Sequence, residues 1–202
     1  VVLNGVNTDV FHFYDTAELR SQMGLTGVKV IFHATPSFDD NINNIKGGYY
    51  VLNLAEKMLN ENVKFVVAGN HPDGLKVPSN VILLGKVSDQ EQLAKYYSMA
   101  DVTLLTSKKE TFSMVTAESL CCGTPVVGFK AGAPEQIAIE EYSEFVTHGD
   151  LEALYSATCE MLSKNLSKKE IAHAATVKYS KNTMTNNYLK LYEEINAKDK
   201  QF

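Results

Sequence analysis

The sequence predicts an α/β protein, a single doubly wound Rossmann-like domain with a parallel sheet covered by helices on both faces. Three observations predict it. Short apolar runs of strand length recur at 28–33, 63–68, 81–84, 102–106 and 126–129. Amphipathic stretches with helical spacing separate them. Glycines and polar residues cluster just after each run, at the carboxyl ends of the strands, where such sheets bind ligands.

In chain order, a short leader precedes Val28 to His33, an apolar and partly β-branched run suited to a buried strand. Gly47-Gly48 opens a helix whose Val51, Leu54, Ala55, Met58 and Leu59 share one face. Val63 to Ala68 is the second strand, closed by Gly69-Asn70, and Val81 to Leu84 is the third. Asp89 is suited to cap a helix with Leu93, Tyr96, Tyr97 and Ala100 on one face. The tyrosine pairs 49–50 and 96–97 read as core and surface packing. Val102 to Thr106 is the fourth strand, and the helix after it stops at Gly123-Thr124-Pro125. Val126 to Phe129 follows, then a short helix start at Pro134-Glu135 and an edge strand over Glu144 to Val146. Leu151, Leu154, Thr158 and Met161 mark one terminal helix, a second covers 167–179, and a last one carries Met184, Tyr188, Leu191, Tyr192 and Ile195.

The 202 residues supply one substantial core, and 45% hydrophobic with 21% charged residues is ordinary for a soluble domain. A net charge of −5 argues against unspecific nucleic-acid binding, so no nucleic-acid partner is expected. No apolar run approaches the roughly 20 residues that span a bilayer. Cys121, Cys122 and Cys159 form no C-x-x-C pattern and read as reduced, packed thiols of a cytoplasmic protein. Asp39-Asp40 lies in an Asn-rich loop and reads as solvated, so neither a metal nor another cofactor is expected.

The stretch Ser107 to Glu118 carries the chemistry. Glu110 falls at a strand-to-helix turn and Glu118 inside the helix, with the free N–H groups of the first helical turn between them. Those groups and the helix dipole favour an anion. The pattern suits a ligand with phosphate in the middle and hydroxyl-rich sugars on either side, which describes a nucleotide-sugar. Two glutamates at this spacing also occur on solvated helix faces, so other features must support the assignment.

They do. Glu110 and Glu118 resemble the E-x7-E element of the group 1 (family 4) retaining glycosyltransferases. Leu3-Asn4-Gly5-Val6-Asn7-Thr8-Asp9-Val10-Phe11 is similar to that family's interdomain linker, Lys46-Gly47 to its K-G pair, and Gly85-Lys86-Val87 to its turn after a strand. Ala100-Asp101, Gly123-Thr124-Pro125-Val126-Val127 and Gly132-Ala133-Pro134-Glu135 follow in the family's order. The resemblance covers essentially the whole chain. It implies the donor-binding, C-terminal half of a two-domain GT-B fold: 1–12 as linker segment, 13–180 as the nucleotide-sugar-binding domain, and 181–202 as a helix crossing back to an N-terminal acceptor domain upstream.

The resemblance also implies roles. Glu118 would accept hydrogen bonds from the ribose hydroxyls, and Glu110 would contact the donor sugar. Lys46 would neutralise the leaving diphosphate, with Glu110 and Lys46 as the catalytic pair. Thr111, Phe112 and Ser113 would give backbone N–H groups to the distal phosphate. Gly85, Lys86 and Val87 would face the base, and Gly132 the donor sugar. Two departures stand out. Ser113 replaces a usual glycine, where its side chain would either crowd the phosphate or donate a further hydrogen bond. The family's arginine after its first strand is missing, so that either His33 or a residue of the upstream half supplies that charge or donor binding is weaker. The only arginine is Arg20.

The expected function is therefore transfer of a sugar from a nucleotide-sugar, UDP-linked by resemblance, to a carbohydrate or lipid-linked acceptor, in surface polysaccharide or glycoconjugate synthesis. The expected setting is the cytoplasm or the inner face of the membrane. The alternatives are a non-catalytic nucleotide-sugar-binding module of the same fold and, less suited to Glu110 and Glu118, a nucleotide-sugar epimerase.

Overall fold

The computed structural model describes residues 2–199. Six strands form one sheet: β1 (Lys29–Ser37), β2 (Val63–Asn70), β3 (Val81–Gly85), β4 (Val102–Leu105), β5 (Val126–Phe129) and β6 (Ser143–Val146). All pairs are parallel and the spatial order is β3-β2-β1-β4-β5-β6. The helices are α1 (Ala17–Gln22), α2 (Gly48–Lys57), α3 (Gln90–Met99), α4 (Met114–Cys121), α5 (Pro134–Ile137), α6 (Leu151–Ser163), α7 (Lys168–Tyr179) and α8 (Lys181–Asp199). Among the described residues no helix is long and apolar enough to cross a membrane.

Strand alternation divides the core in two. On one face Phe32 and Val66 pack with Ala94, Tyr97, Leu120, Ile171 and Ala175 of α3, α4 and α7. On the other, Ile31, Phe65 and Val67 pack with Val51, Leu54, Leu154 and Met161 of α2 and α6. Both layers exclude water because parallel strands linked by crossover helices are covered on both sides. Asp89 caps α3 as expected, accepting from Glu91 N at 2.9 Å.

Several boundaries differ from the sequence reading. β1 continues four residues past His33, because the register with β2 persists through Ala34 and resumes at Ser37 with Asn70. Leu59 lies beyond the end of α2 and is 37% exposed. The leader contains α1, six residues with no fully buried side chain, which explains why it left no apolar stripe to read. Residues 5–6, within the segment read as linker, are anchored where α7 meets α8: Val6 N donates to Tyr179 O at 2.7 Å, and Lys181 N donates to Val6 O at 3.2 Å. A Cβ on Gly5 would sit 2.7 Å from Lys181 Cα, so glycine is what lets this crossing close.

Candidate active site

The strand order reverses between β1 and β4, and in doubly wound sheets the crevice outside that switch point is the ligand site. Two cavities open there and share Ala34, Pro36 and Val115. One, about 400 Å³, is lined by Thr35, Asn70, Lys86, Val87, Tyr97 and Glu118 among others. Its neighbour, about 290 Å³, is lined by Asn4, Lys46, Ser107, Glu110 and residues 111–115.

The smaller cavity holds the two groups expected to be catalytic, and they pair with each other. Lys46 Nζ donates to Glu110 Oε1 at 2.9 Å, with side-chain exposures of 26% and 17%. Lys46 is delivered by a structured loop. Asp39 Oδ1 accepts from Asn41 N at 3.0 Å, Asn41 Oδ1 from Asn43 N at 2.9 Å, and Asn44 Oδ1 from Lys46 N at 2.9 Å. The Asn and Asp residues are thus successive turn-formers. Gly47 then adopts φ 72°, and a Cβ there would lie 2.1 Å from Thr106 O at the end of β4. Only glycine permits that approach, which seats Lys46 opposite Glu110. Glu110 is fixed from its backbone, donating to Ala131 O at 3.0 Å and bridging to Gly132.

Between Glu110 and Glu118 lies the start of α4. Among the described residues, no acceptor within the protein meets the N–H groups of Thr111, Phe112, Ser113, Met114 or Val115. They line or border the smaller cavity, where an anion would satisfy them. Ser113 caps the helix and has φ 73° and ψ 76°, the one non-glycine with positive φ among the described residues. The left-handed region costs a side chain about 1 kcal/mol, which is the physical reason a glycine suits this position. Its hydroxyl lies 2.9 Å from Thr116 Oγ1 and accepts from Thr116 N at 3.4 Å. The serine side chain is therefore turned into the helix cap.

In the larger cavity, Glu118 projects from the second turn of α4. Burial outweighs the lowering effect of a hydrogen bond from Tyr97, and its carboxyl is raised to about 7. Tyr97 Oη donates to Glu118 Oε2 at 3.3 Å, long for a hydroxyl–carboxylate bond. Lys86 and Val87 form the opposite wall, after Gly85 turns the chain with φ 70° at the end of β3.

Most of the residues singled out in the sequence thus gather around one crevice. Two do not behave as expected. His33 is 2% exposed inside β1, with Nδ1 2.9 Å from Leu104 O, and burial depresses its pKa to about 4. A neutral, enclosed imidazole supplies no charge to a diphosphate. Gly132 stands beside Glu110, but its N–H is already given to Glu135 Oε1 at 3.0 Å, so Glu135 closes that loop on itself. Arg20 is also remote: it binds Val28 O, Met99 O and Asp101 at the amino edge of the sheet. Sequence reasoning missed Tyr97 and Asn4. Tyr97 looked like a packing residue because it is one; only its hydroxyl reaches the site. Asn4 reaches the cavity through the Val6–Tyr179 crossing, a long-range contact that no local pattern encodes.

The crevice lies at the switch point of a doubly wound, Rossmann-like domain, and similarity to known proteins specifies the class. A family model for glycosyl transferases group 1 matches residues 31–164. The chain belongs to that family. It is 26% identical over 160 residues to the N-acetyl-alpha-D-glucosaminyl L-malate synthase of Bacillus anthracis, covering 74% of this chain and 38% of that protein. In structure it resembles Anabaena HepE in complex with UDP and glucose, with a TM-score of 0.76 at 18% identity, over 96% of this chain and 56% of that one. It also resembles the C-terminal domain of a group 1 glycosyl transferase family protein, LpcC, from Francisella tularensis, at TM-score 0.66 and 20% identity. That match covers 91% of this chain and 98% of the other. The chain thus spans about half or less of its two-domain-sized relatives and nearly all of an isolated C-terminal domain.

Proposed function

We propose that this chain is the donor-binding half of a retaining, metal-independent glycosyltransferase of hexosyl type that uses a nucleotide-sugar, with a UDP-sugar as the donor. The observation that carries the proposal is the pair of joined cavities at the switch point, with the unsatisfied α4 N-terminus between Lys46–Glu110 and Glu118–Tyr97. The nucleoside occupies the larger cavity, its ribose hydroxyls on Glu118 and its base against Lys86 and Val87. The diphosphate lies at residues 111–115 and the donor sugar beside Glu110. The UDP bound to HepE lends weight to the choice of base.

In this scheme Lys46 stabilises charge that develops on the leaving diphosphate, and the α4 N–H groups share the load. Glu110 holds Lys46 in place and contacts the sugar hydroxyls while an acceptor hydroxyl attacks from the face the nucleotide leaves. The acceptor, a carbohydrate or lipid-linked glycan, is held by an N-terminal domain of the full-length protein, and α8 crosses back to that domain. The setting proposed is the cytoplasm or the cytoplasmic face of a membrane, in surface polysaccharide or glycoconjugate assembly.

Calorimetric titration of the full-length protein with UDP, GDP and ADP, with and without magnesium, tests this. Metal-independent binding preferring UDP is expected; no binding to any nucleotide contradicts it. The placement of Arg20 at the far edge favours one other reading, a nucleotide-sugar-binding module without transfer. UDP release from a UDP-sugar in the presence of acceptor distinguishes the two.

A further inference from the structure

Tyr97 is wholly buried on α3, yet its ring ends at the wall of the larger cavity. Ring and backbone are both held. Phe32 meets it edge-on at 5.0 Å, Phe11 lies at 6.4 Å, and the Tyr97 carbonyl accepts from Thr124 Oγ1 at 2.7 Å. A phenylalanine would fill the same apolar space without burying a hydroxyl, which costs free energy unless it finds a partner. The partner it finds is Glu118 Oε2.

We propose that Tyr97 is a positioning residue for nucleotide selection: its hydroxyl holds Glu118 Oε2 and leaves Oε1 for the ribose, so that the site prefers ribo- over 2′-deoxyribonucleotides. This rests on the assignment of Glu118 to the ribose made above. A carboxylate accepts from both ribose hydroxyls only when it is ionised and held in register, since protonation converts one acceptor oxygen into a donor. Burial works against the ionised form of Glu118, and the Tyr97 hydrogen bond works for it. Tyr97 itself is pushed far up by burial and stays a donor throughout the neutral range. The other titratable groups around Glu118 are the thiols of Cys121, which ends α4, and Cys122, which caps it, both pushed up by burial and neutral, and Lys86 on the facing wall. None of these replaces the phenol as a donor fixed inside the core.

The test is a titration of the full-length protein and its Tyr97→Phe variant with UDP and with 2′-deoxyUDP, from about pH 6 to about pH 8. The wild type should prefer UDP. Tyr97→Phe should weaken UDP by roughly fivefold, the size of one hydrogen bond, and weaken 2′-deoxyUDP, which offers Glu118 only a 3′-hydroxyl, by clearly less. The loss should grow toward lower pH, while the 2′-deoxyUDP titration cancels the ionisation of the diphosphate itself. In a Glu118→Gln background the same substitution should cost nothing more. Equal weakening of both nucleotides would mean that Tyr97 only packs, and no change in either would also overturn the proposal. A wild type that does not distinguish the two nucleotides would instead remove the Glu118–ribose assignment, and this inference with it.

Discussion

At the amino edge of the sheet, Asp101 accepts from Val30 N at 2.8 Å and from Arg20 at 3.3 Å, and Lys29 lies at 3.8 Å. Close by, Lys168 donates to Ala100 O and to Thr124 Oγ1 at 3.0 Å. At the carboxyl edge, Lys46 meets Glu110 alone, Glu118 meets Tyr97 alone, and both pairs face cavities. The two edges use the same residue types. They differ in what the remaining donors and acceptors point at. Arg20 and Lys168 give donors to backbone carbonyls and so tie α1 and α7 to the sheet, and the cavity that Lys29, Asp101 and Lys168 line is smaller, about 150 Å³. Carboxyl-edge charges keep capacity in reserve and surround unsatisfied N–H groups. Residue type alone does not separate an ion pair that ties the fold from one proposed to act on a ligand, but the partners of each remaining atom do.

Substitutions at the two edges should therefore separate activity from stability. Lys46→Ala should lower glycosyl transfer by about a hundredfold, the loss typical of removing one well-placed donor to developing charge. Its stability should change by less than about 1 kcal/mol, because the pair it breaks is partly exposed. Steady-state kinetics and urea denaturation on one preparation measure both. Asp101→Ala should do the reverse. It strands Val30 N–H and Arg20, costing about 2 kcal/mol of stability in denaturation, with UDP affinity of the folded protein unchanged.

Glu118→Gln gives a smaller effect with a pH signature. The folded carboxyl titrates at about 7, above its ordinary value of 4.5. Between those values the unfolded chain surrenders the proton first, so stability falls as pH rises through the window and the cost is complete above about 7. Glutamine removes that cost. The variant should gain on the order of 1 kcal/mol near pH 8, nothing near pH 4, and bind UDP poorly. Thermal melts across that range measure the gain, and an unchanged or lower Tm near pH 8 would refute it.

The same contrast explains what the sequence disclosed. Strand runs such as 63–68 and the Asp89 cap are local patterns, and they appear in the structure where they were read. The gathering of Lys46, Glu110 and Glu118 at one edge follows from strand–helix alternation, because each lies just beyond a strand or in the helix after it. His33 was misplaced because an apolar run does not mark where a strand's hydrogen bonding stops. Arg20, Tyr97 and Asn4 were illegible for another reason. The partners of Arg20 and Tyr97 lie 81 and 21 positions away, and Asn4 is carried to the cavity by the Val6–Tyr179 crossing; such placements arise from packing rather than from local pattern.

The central claim is that the carboxyl-edge crevice between β1 and β4 holds the nucleotide diphosphate. Backbone amide NMR of this chain during titration with UDP tests it most directly. The largest shifts should fall on 111–116, with others near Thr35, Asn70, Lys86 and Glu118, and none around Asp101 and Lys168. Shifts centred on the amino edge, or saturating UDP with the amides of 111–116 unmoved, would contradict the account.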